Sequence, residues 1–412
     1  MTGRAGADTH AVPEPEAEPD AERLACLVAL CGLPGIGPAT LLRVAVEADP
    51  VEVWDRVGRG RAGGVPALDG ALGPNPGERS RRAAAMTRAA AGIVPGQELA
   101  RHRANGRSVL ALGSPEYPLR LFDDPEPPAL LFAEGHLEAF ADPSVAMVGT
   151  RNATRAGREL AAELAAGLAR SGVAVVSGLA LGIDGAAHAG ALTVSRDDQV
   201  GSGRPIGVIA SGLDIAYPRR HQQLHRDIVR HGLLVSETPL GQRPTAWRFP
   251  ARNRIIAGLA DAVVIVESRS AGGSMLTAAA GLARDRPVLA VPGHPTAPAA
   301  AGANDLIFDG ASPVRDLEDI LVAIGRGGTS VAPARGGPPA AEHDPLRRKV
   351  LSAFGVDPLS LDEVVDRTGL TLTAVASALV DLEALGAVVR SGSWFERAGP
   401  PGPPDLRRRS GR

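Results

Sequence analysis

From about residue 107 to 324 the chain alternates short, near-continuous apolar runs with longer stretches of helical periodicity. The runs 108–112, 145–148, 173–176, 206–210, 233–236, 262–267 and 288–291 read as strands, and helices are predicted between them, for example over 219–231, 252–259 and 274–284. Strands that are apolar throughout need cover on both faces, which predicts a parallel sheet between helical layers. The unit is clearest over 145–192, VAMVGTRNATRAGRELAAELAAGLARSGVAVVSGLALGIDGAAHAGAL. An apolar strand meets a sharp Gly149-Thr150-Arg151 turn, and Thr154 is a good N-cap for the helix that follows. Leu160, Leu164 and Leu168 then share one helical face, and Gly172 stands where a C-terminal glycine belongs. A second strand leads into a glycine-rich loop and another helix. In such βα units ligands bind beyond the carboxyl ends of the strands, where backbone N–H groups and helix N-termini favour phosphate. A phosphate-bearing ligand is the first expectation, with Arg151 as its cation.

The pattern changes at both ends. Residues 1–20 are polar and Pro/Glu-rich, the composition of a disordered tail. A small helical region is predicted over 21–105, with helices in 21–56, a Gly/Pro/Arg-rich loop over 57–78 and a helix over about 80–105. Its LPGIGPATLLRV stretch, Leu33 to Val44, resembles a helix-hairpin-helix element, although the same turn also serves as a plain helix connector. The polar connection 193–205 reads as a surface loop and 325–343 as a linker. Beyond it, 344–395 carries three helical patterns followed by AVVRSGSWF, a winged-helix arrangement. Its third helix, 371–386, contains no Arg or Lys but carries Asp381 and Glu383, which favours a packing or protein-binding module over a groove reader. The tail 396–412, ending LRRRSGR, is a solvated charge run.

At 412 residues there is room for two or three domains, and a net charge of −2 gives no global basic field, so any polyanion site must be local. Almost every cation is an arginine; Lys349 is the only lysine. No single arginine is therefore special for being one. Aromatics make up only 3%, which raises the weight of any aromatic among arginines. Cys26 and Cys31 sit in one apolar helix-like segment and read as buried thiols, not as zinc ligands. No apolar h-region or membrane-length run occurs, which points to a cytoplasmic protein.

Four segments each follow a strand and should meet at one edge of the sheet: Gly149-Thr150-Arg151, the loop from Ser177 and Gly178 through Gly182 to Asp184, the Ser211-Gly212-Leu213-Asp214 turn, and Thr238 through Arg254. The last holds TAWRFPARNR, with Trp247 and Phe249 among Arg248, Arg252 and Arg254 and no acid from Thr245 onward. Aromatic faces beside guanidinium groups suit a single strand, because bases stack while phosphates are neutralised. The bland alternative makes the aromatics core and the arginines helix caps. Enzymatic patterns are poorer. No Walker A run exists, SGLALGIDG breaks the GxGxxG spacing, and HQQLH from His221 to His225 has Gln222 in place of a zinc-peptidase glutamate. Ser177 lacks a nucleophile-elbow context, and Asp184 is expected to cap the helix that carries His188. Glu267 ends a strand where it can act as an acid or base, cap a helix, or bind an arginine of the RNR segment. No motif calls for a cofactor or a metal.

The segments VGTRNATRAG, VVSGLALGIDGAAHAGAL, ASGLDIAYP, GLLVSETPLG, FPARNRIIAGLADAVVIVES, SMLTA and VLAVPG follow one another over about 150 residues. Together they resemble the DNA-processing protein A (DprA/Smf) family. The resemblance implies an α/β, Rossmann-like, doubly wound and mostly parallel sheet, flanked by a small helical N-terminal domain and a C-terminal winged helix. It further implies a homodimer that binds single-stranded DNA, helps load the recombinase RecA, and serves DNA processing or transformation without membrane contact. Carried over to this chain, the DNA-binding residues are Gly149, Thr150, Arg151, Ser177, Gly178, Gly182, Asp184, Phe249, Pro250, Arg252, Asn253 and Arg254. This chain departs from the family pattern at Ala210, Ala251 and Arg219-Arg220-His221. The competing class is a nucleotide-cleaving phosphoribohydrolase of related fold. Those enzymes carry a PGGxGT-type loop, whereas the comparable loop here is Ala271-Gly272-Gly273-Ser274-Met275. A third reading, an interaction scaffold, predicts no DNA affinity in the 107–324 core.

Overall fold

The structure is a computed structural model that describes residues 19–195, 201–326, 344–354, 358–384, 387–391 and 394–397. The expectations for the N-terminal tail, most of the linker, the middle of the 193–205 loop and the basic tail fall outside the described residues. The chain divides into two compact units, Met1–Thr329 and Ser330–Arg412.

The first unit is organised by one nine-stranded sheet. Its strands are β1 (Arg107–Ala111), β2 (Leu130–Gly135), β3 (Ser144–Val148), β4 (Ala174–Ser177), β5 (Ile206–Ile209), β6 (Leu233–Ser236), β7 (Ala262–Ile265), β8 (Val288–Ala290) and β9 (Ser312–Pro313), in the order β1-β2-β6-β5-β4-β3-β7-β8-β9. All pairings from β6 to β9 are parallel; β1 and β2 join antiparallel at one edge. The run Leu130–Gly135, whose first four residues are all buried, is a strand that the sequence reading passes over. From β3 the chain winds one way through β4, β5 and β6, then returns to β3's other side at β7. That reversal is a topological switch point, and the crevice beyond the strand ends there is where doubly wound sheets take ligands.

Local signals behave as their chemistry dictates. The Thr154 side chain accepts the Gly157 N–H at 2.9 Å and opens the helix Arg155–Arg170, while Gly172 follows its end at φ +70°. Leu164 and Leu168 are buried on that helix, against Val145, Val173 and Val175. The helix expected over about 80–105 is two, Pro76–Ala90 and Pro95–Arg103, since Pro95 has no N–H to continue the ladder. The expected 57–78 loop also forms short helical turns that bury Val65, Leu68 and Leu72.

The N-terminal helices share one hydrophobic core with a face of the sheet: Leu27, Leu30 and Leu41 belong to the same cluster as Leu130, Phe132, Ile209 and Leu234. His102 fixes the seam. Its Nε2 accepts the Leu240 N–H at 3.0 Å, so Nδ1 carries the proton that it donates to the Glu98 carbonyl at 2.9 Å. Burial holds this imidazole below the ordinary histidine range, consistent with a neutral ring. Cys26 and Cys31 are free thiols, pushed up by burial to about 11 and about 12.

The second unit is a winged helix. Helices Pro345–Ser352, Leu361–Thr368 and Leu372–Ala384 pack with a sheet of β10 (Leu359–Ser360), β11 (Val388–Ser391) and β12 (Trp394–Arg397), in the order β10-β12-β11. Ser360 and Glu363 form a capping box, and Val350, Val364, Leu379, Leu382 and Phe395 fill its own core. On the third helix Asp381 accepts a hydrogen bond from Arg347 at 2.9 Å, a packing role within the unit. Among the described residues no helix is long and apolar enough to cross a membrane.

Candidate nucleic-acid interface

An open groove of about 550 Å³ lies beyond the carboxyl ends of β3 and β7, at the switch point. One wall is Gly149-Thr150-Arg151, the second is Phe249, Pro250 and Asn253, and the third runs from Arg269 through Gly272 and Ser274 to Thr277. Hydrogen bonds from backbone and from one side chain hold these segments in place. The Thr150 N–H donates to the Glu267 carbonyl at 2.7 Å, and the Ile183 N–H donates to the Thr150 carbonyl at 3.3 Å. Asn253 reaches the Gly273 carbonyl at 3.3 Å.

Arg151 is exposed at the lip of this groove. Among the described residues it pairs with no carboxylate; its guanidinium instead lies 5.1 Å from the Phe249 ring centroid. Phe249 in turn meets Tyr217 at 5.6 Å between centroids. A half-exposed tyrosine, a phenylalanine and an unpaired guanidinium thus form one continuous surface. Of the roles the sequence leaves open for Glu267, the structure shows the one at a helix start. Its two oxygens accept the Thr154 hydroxyl at 2.6 Å and the Thr154 N–H at 2.9 Å, so it fastens the helix start behind the groove.

The arginines of the RNR segment part company. Arg252 is 7% exposed, and its guanidinium donates to the Gly178 carbonyl at 2.9 Å and to the Val208 carbonyl. Burial lowers its pKa to about 10, opposed by the nearby Asp184 carboxylate. Arg254 forms a largely buried ion pair with Glu237 at 2.6 Å. Ser177 is fully buried and donates to the Met147 carbonyl at 2.6 Å. Ser177 and Arg254 brace the strand ends away from the groove, whereas Arg252 lines it from a buried position, beside Asp184. Asp184 corrects a local expectation as well. It lies inside the first turn of the helix Ile183–Ser195 and is not its cap; its carboxylate accepts the Gly178 N–H at 3.2 Å from a buried position that raises its pKa.

The glycines serve close packing of these loops. Gly182 has φ +81°, and a Cβ there would collide with the Thr150 carbonyl. At Gly178 a Cβ would lie 2.6 Å from the Arg252 guanidinium. The SGLALGID loop therefore builds the floor on which Arg151 and Phe249 stand. The neighbouring turn does likewise, with Asp214 accepting the Gly241 N–H at 2.9 Å. His221, of the HQQLH stretch, bonds the Leu179 carbonyl through Nδ1 at 2.9 Å.

Sequence reasoning passed over Arg269 and Tyr217. Both signals were present: Arg269 follows β7 at the same edge, and Tyr217 is one of two tyrosines in a chain poor in aromatics.

Residues 108–325 match the family described as DNA recombination-mediator protein A, and residues 332–392 match its winged-helix domain. Protein Smf from Synechocystis is 33% identical over 330 residues, covering 72% of this chain and 81% of that protein. DNA processing protein DprA from Bacillus subtilis is 40% identical over 224 residues, 54% of this chain and 73% of its own length. The crystal structure of DNA processing protein A from Streptococcus pneumoniae superposes with a TM-score of 0.56 at 29% identity, covering 72% of this chain and 95% of that one. With that sheet, that winged helix and these relatives, the chain belongs to the DprA/Smf family of recombination mediators.

Proposed function

We propose that the switch-point groove holds single-stranded DNA and that the chain acts as a binder, not as an enzyme, passing the strand to the recombinase RecA as a cytoplasmic homodimer. The observation that carries the reading is Arg151, a cation with no carboxylate partner among the described residues, laid over Phe249 and continuous with Tyr217. A duplex hides its base faces; a single strand offers them together with its phosphates. In this reading Arg151, Thr150 and Asn253 meet phosphate, Phe249 with Pro250 meets a base, and Gly149 keeps the turn close to the strand. Gly178, Gly182, Ser177, Asp184, Arg252 and Arg254 contribute by positioning them. The occupied oxygens of Glu267 support a binding role over nucleotide cleavage.

Gel shifts of the full chain with single- and double-stranded oligonucleotides test this. The single strand is expected to bind more tightly, with a log–log salt slope of about 0.7 per neutralised phosphate. Equal affinity for duplex, or a flat salt response, would overturn the reading. RecA filament formation on strands coated with single-strand-binding protein, with and without this protein, tests the hand-over, and sedimentation tests the dimer.

The winged-helix unit has its own core and presents carboxylates on its third helix. Deleting residues 330–412 is therefore expected to leave single-strand affinity within a few-fold. A loss of about a hundredfold, roughly 2.7 kcal/mol, would give that unit a direct role in binding.

A further inference from the structure

Trp247 is not part of the groove lining; it immediately precedes the helix Arg248–Leu259, two residues before Phe249, and lines a neighbouring crevice. It is 53% exposed in a chain with three tryptophans. Its inner edge lines a small crevice with Ile36, Gly37, Pro38 and Leu41, the turn that resembles a helix-hairpin-helix element. The Arg248 guanidinium lies 5.1 Å from its ring centroid. Arg248 is held there by the Arg243 carbonyl at 3.2 Å and by the Gln242 side chain, and it pairs with no carboxylate among the described residues. The Trp247–Arg248 pair thus repeats the guanidinium–ring contact of Arg151 and Phe249, with Arg248 half-buried and Arg151 exposed.

From these contacts we infer that Trp247 is a second base-stacking platform, which takes a further nucleobase of the strand held at Arg151 and leads it toward the N-terminal turn. The inference rests on the groove reading above and extends it. Two residues apart, Trp247 and Phe249 have backbone positions within about 7 Å of one another. A strand only a few nucleotides long can therefore reach from one residue to the other. A tryptophan that served only as seam filler would turn its faces inward; this one leaves half its surface open beside a guanidinium. The pair suits a nucleobase followed by its phosphate, the former on the indole and the latter at Arg248.

The test uses the full chain and two strands of equal length, an oligothymidylate and one carrying abasic sites throughout. Trp247→Ala is expected to weaken oligothymidylate binding about 5- to 150-fold, the loss of one stacked base, and to leave abasic-strand binding within about twofold. Trp247→Phe, which keeps a ring, should stay within about threefold of wild type on both. Melting temperatures of both variants report on folding. Trp247→Ala binding the oligothymidylate as wild type does, or losing both strands equally, would overturn the second platform while leaving the groove intact. Wild-type protein that binds neither strand would overturn the groove reading itself, and this inference with it.

Discussion

Arg151→Ala is expected to lose single-strand affinity by at least about tenfold while melting within about 2 °C of wild type, a shift worth under about 1 kcal/mol. A hydrogen bond to a charged group contributes about 1.5–3 kcal/mol, which is roughly a ten- to hundredfold change in affinity. The side chain is exposed at a strand tip and makes no ion pair among the described residues, so its removal uncovers no core. The start of the helix Arg155–Arg170 stays capped by Thr154 and Glu267 in the variant and keeps part of the anion's field. Some affinity should therefore survive. Arg151→Lys should recover only a fraction, because an ammonium keeps the charge but loses the planar fork that stacks on Phe249 and meets phosphate with two donors. Filter binding or fluorescence anisotropy with one oligonucleotide, alongside thermal melts, gives both readouts. An Arg151→Ala protein that is folded and binds as wild type does would remove this residue from the interface.

Loss of the guanidinium at Arg252 has the opposite expected signature. Arg252→Met should lower stability by about 3–5 kcal/mol, the cost of stranding one partner of a buried charged network. At about 2–4 °C per kcal/mol for a domain of some 150–250 residues, the melting temperature should fall by roughly 10 °C. The physical reason is local. The guanidinium satisfies the Gly178 and Val208 carbonyls at the ends of β4 and β5, and its charge opposes the burial of Asp184. Without it two carbonyls lose donors and a buried carboxyl loses its counter-charge. Arg252→Lys should rescue little, because one ammonium on a flexible stem does not reproduce the guanidinium fork between two strands. Arg252→Met combined with Asp184→Asn should be less destabilised than the sum of the single changes, since the stranded charge is gone. Additive losses, or a stable Arg252→Met that merely binds DNA weakly, would place Arg252 at the ligand instead.

Much of the architecture is visible in the order of residues because it follows from short-range rules. Parallel strands covered on both faces are apolar throughout, so β3, β4, β5, β6 and β7 announce themselves within a residue or two. Thr154 caps its helix because an Oγ three residues before an N–H can reach it without help from the rest of the fold. The meeting of four loops at one edge follows from their each ending a strand. Strand β2 was not recognised in this way; its place between β1 and β6, antiparallel to both, depends on segments far from it in sequence. Nor was the merging of the N-terminal helices with the sheet, which hangs on contacts such as His102 to Leu240 across 138 positions of sequence.

Within the candidate site the division is sharper. The sequence by itself determined that arginines, aromatics and glycines converge beyond the strand ends, because chain order and strand direction leave them nowhere else to go. It did not distinguish Arg151 from Arg252 or Arg254, since a guanidinium has the same donors and charge wherever it stands. Only the tertiary structure decided that Arg252 turns inward to strand carbonyls, that Arg254 is consumed by Glu237, and that Glu267 is taken by Thr154. Arg151 is left facing solvent over Phe249. Pairing in a folded chain depends on which carboxylates and carbonyls come within about 3 Å, and those distances are set by packing between segments far apart in sequence.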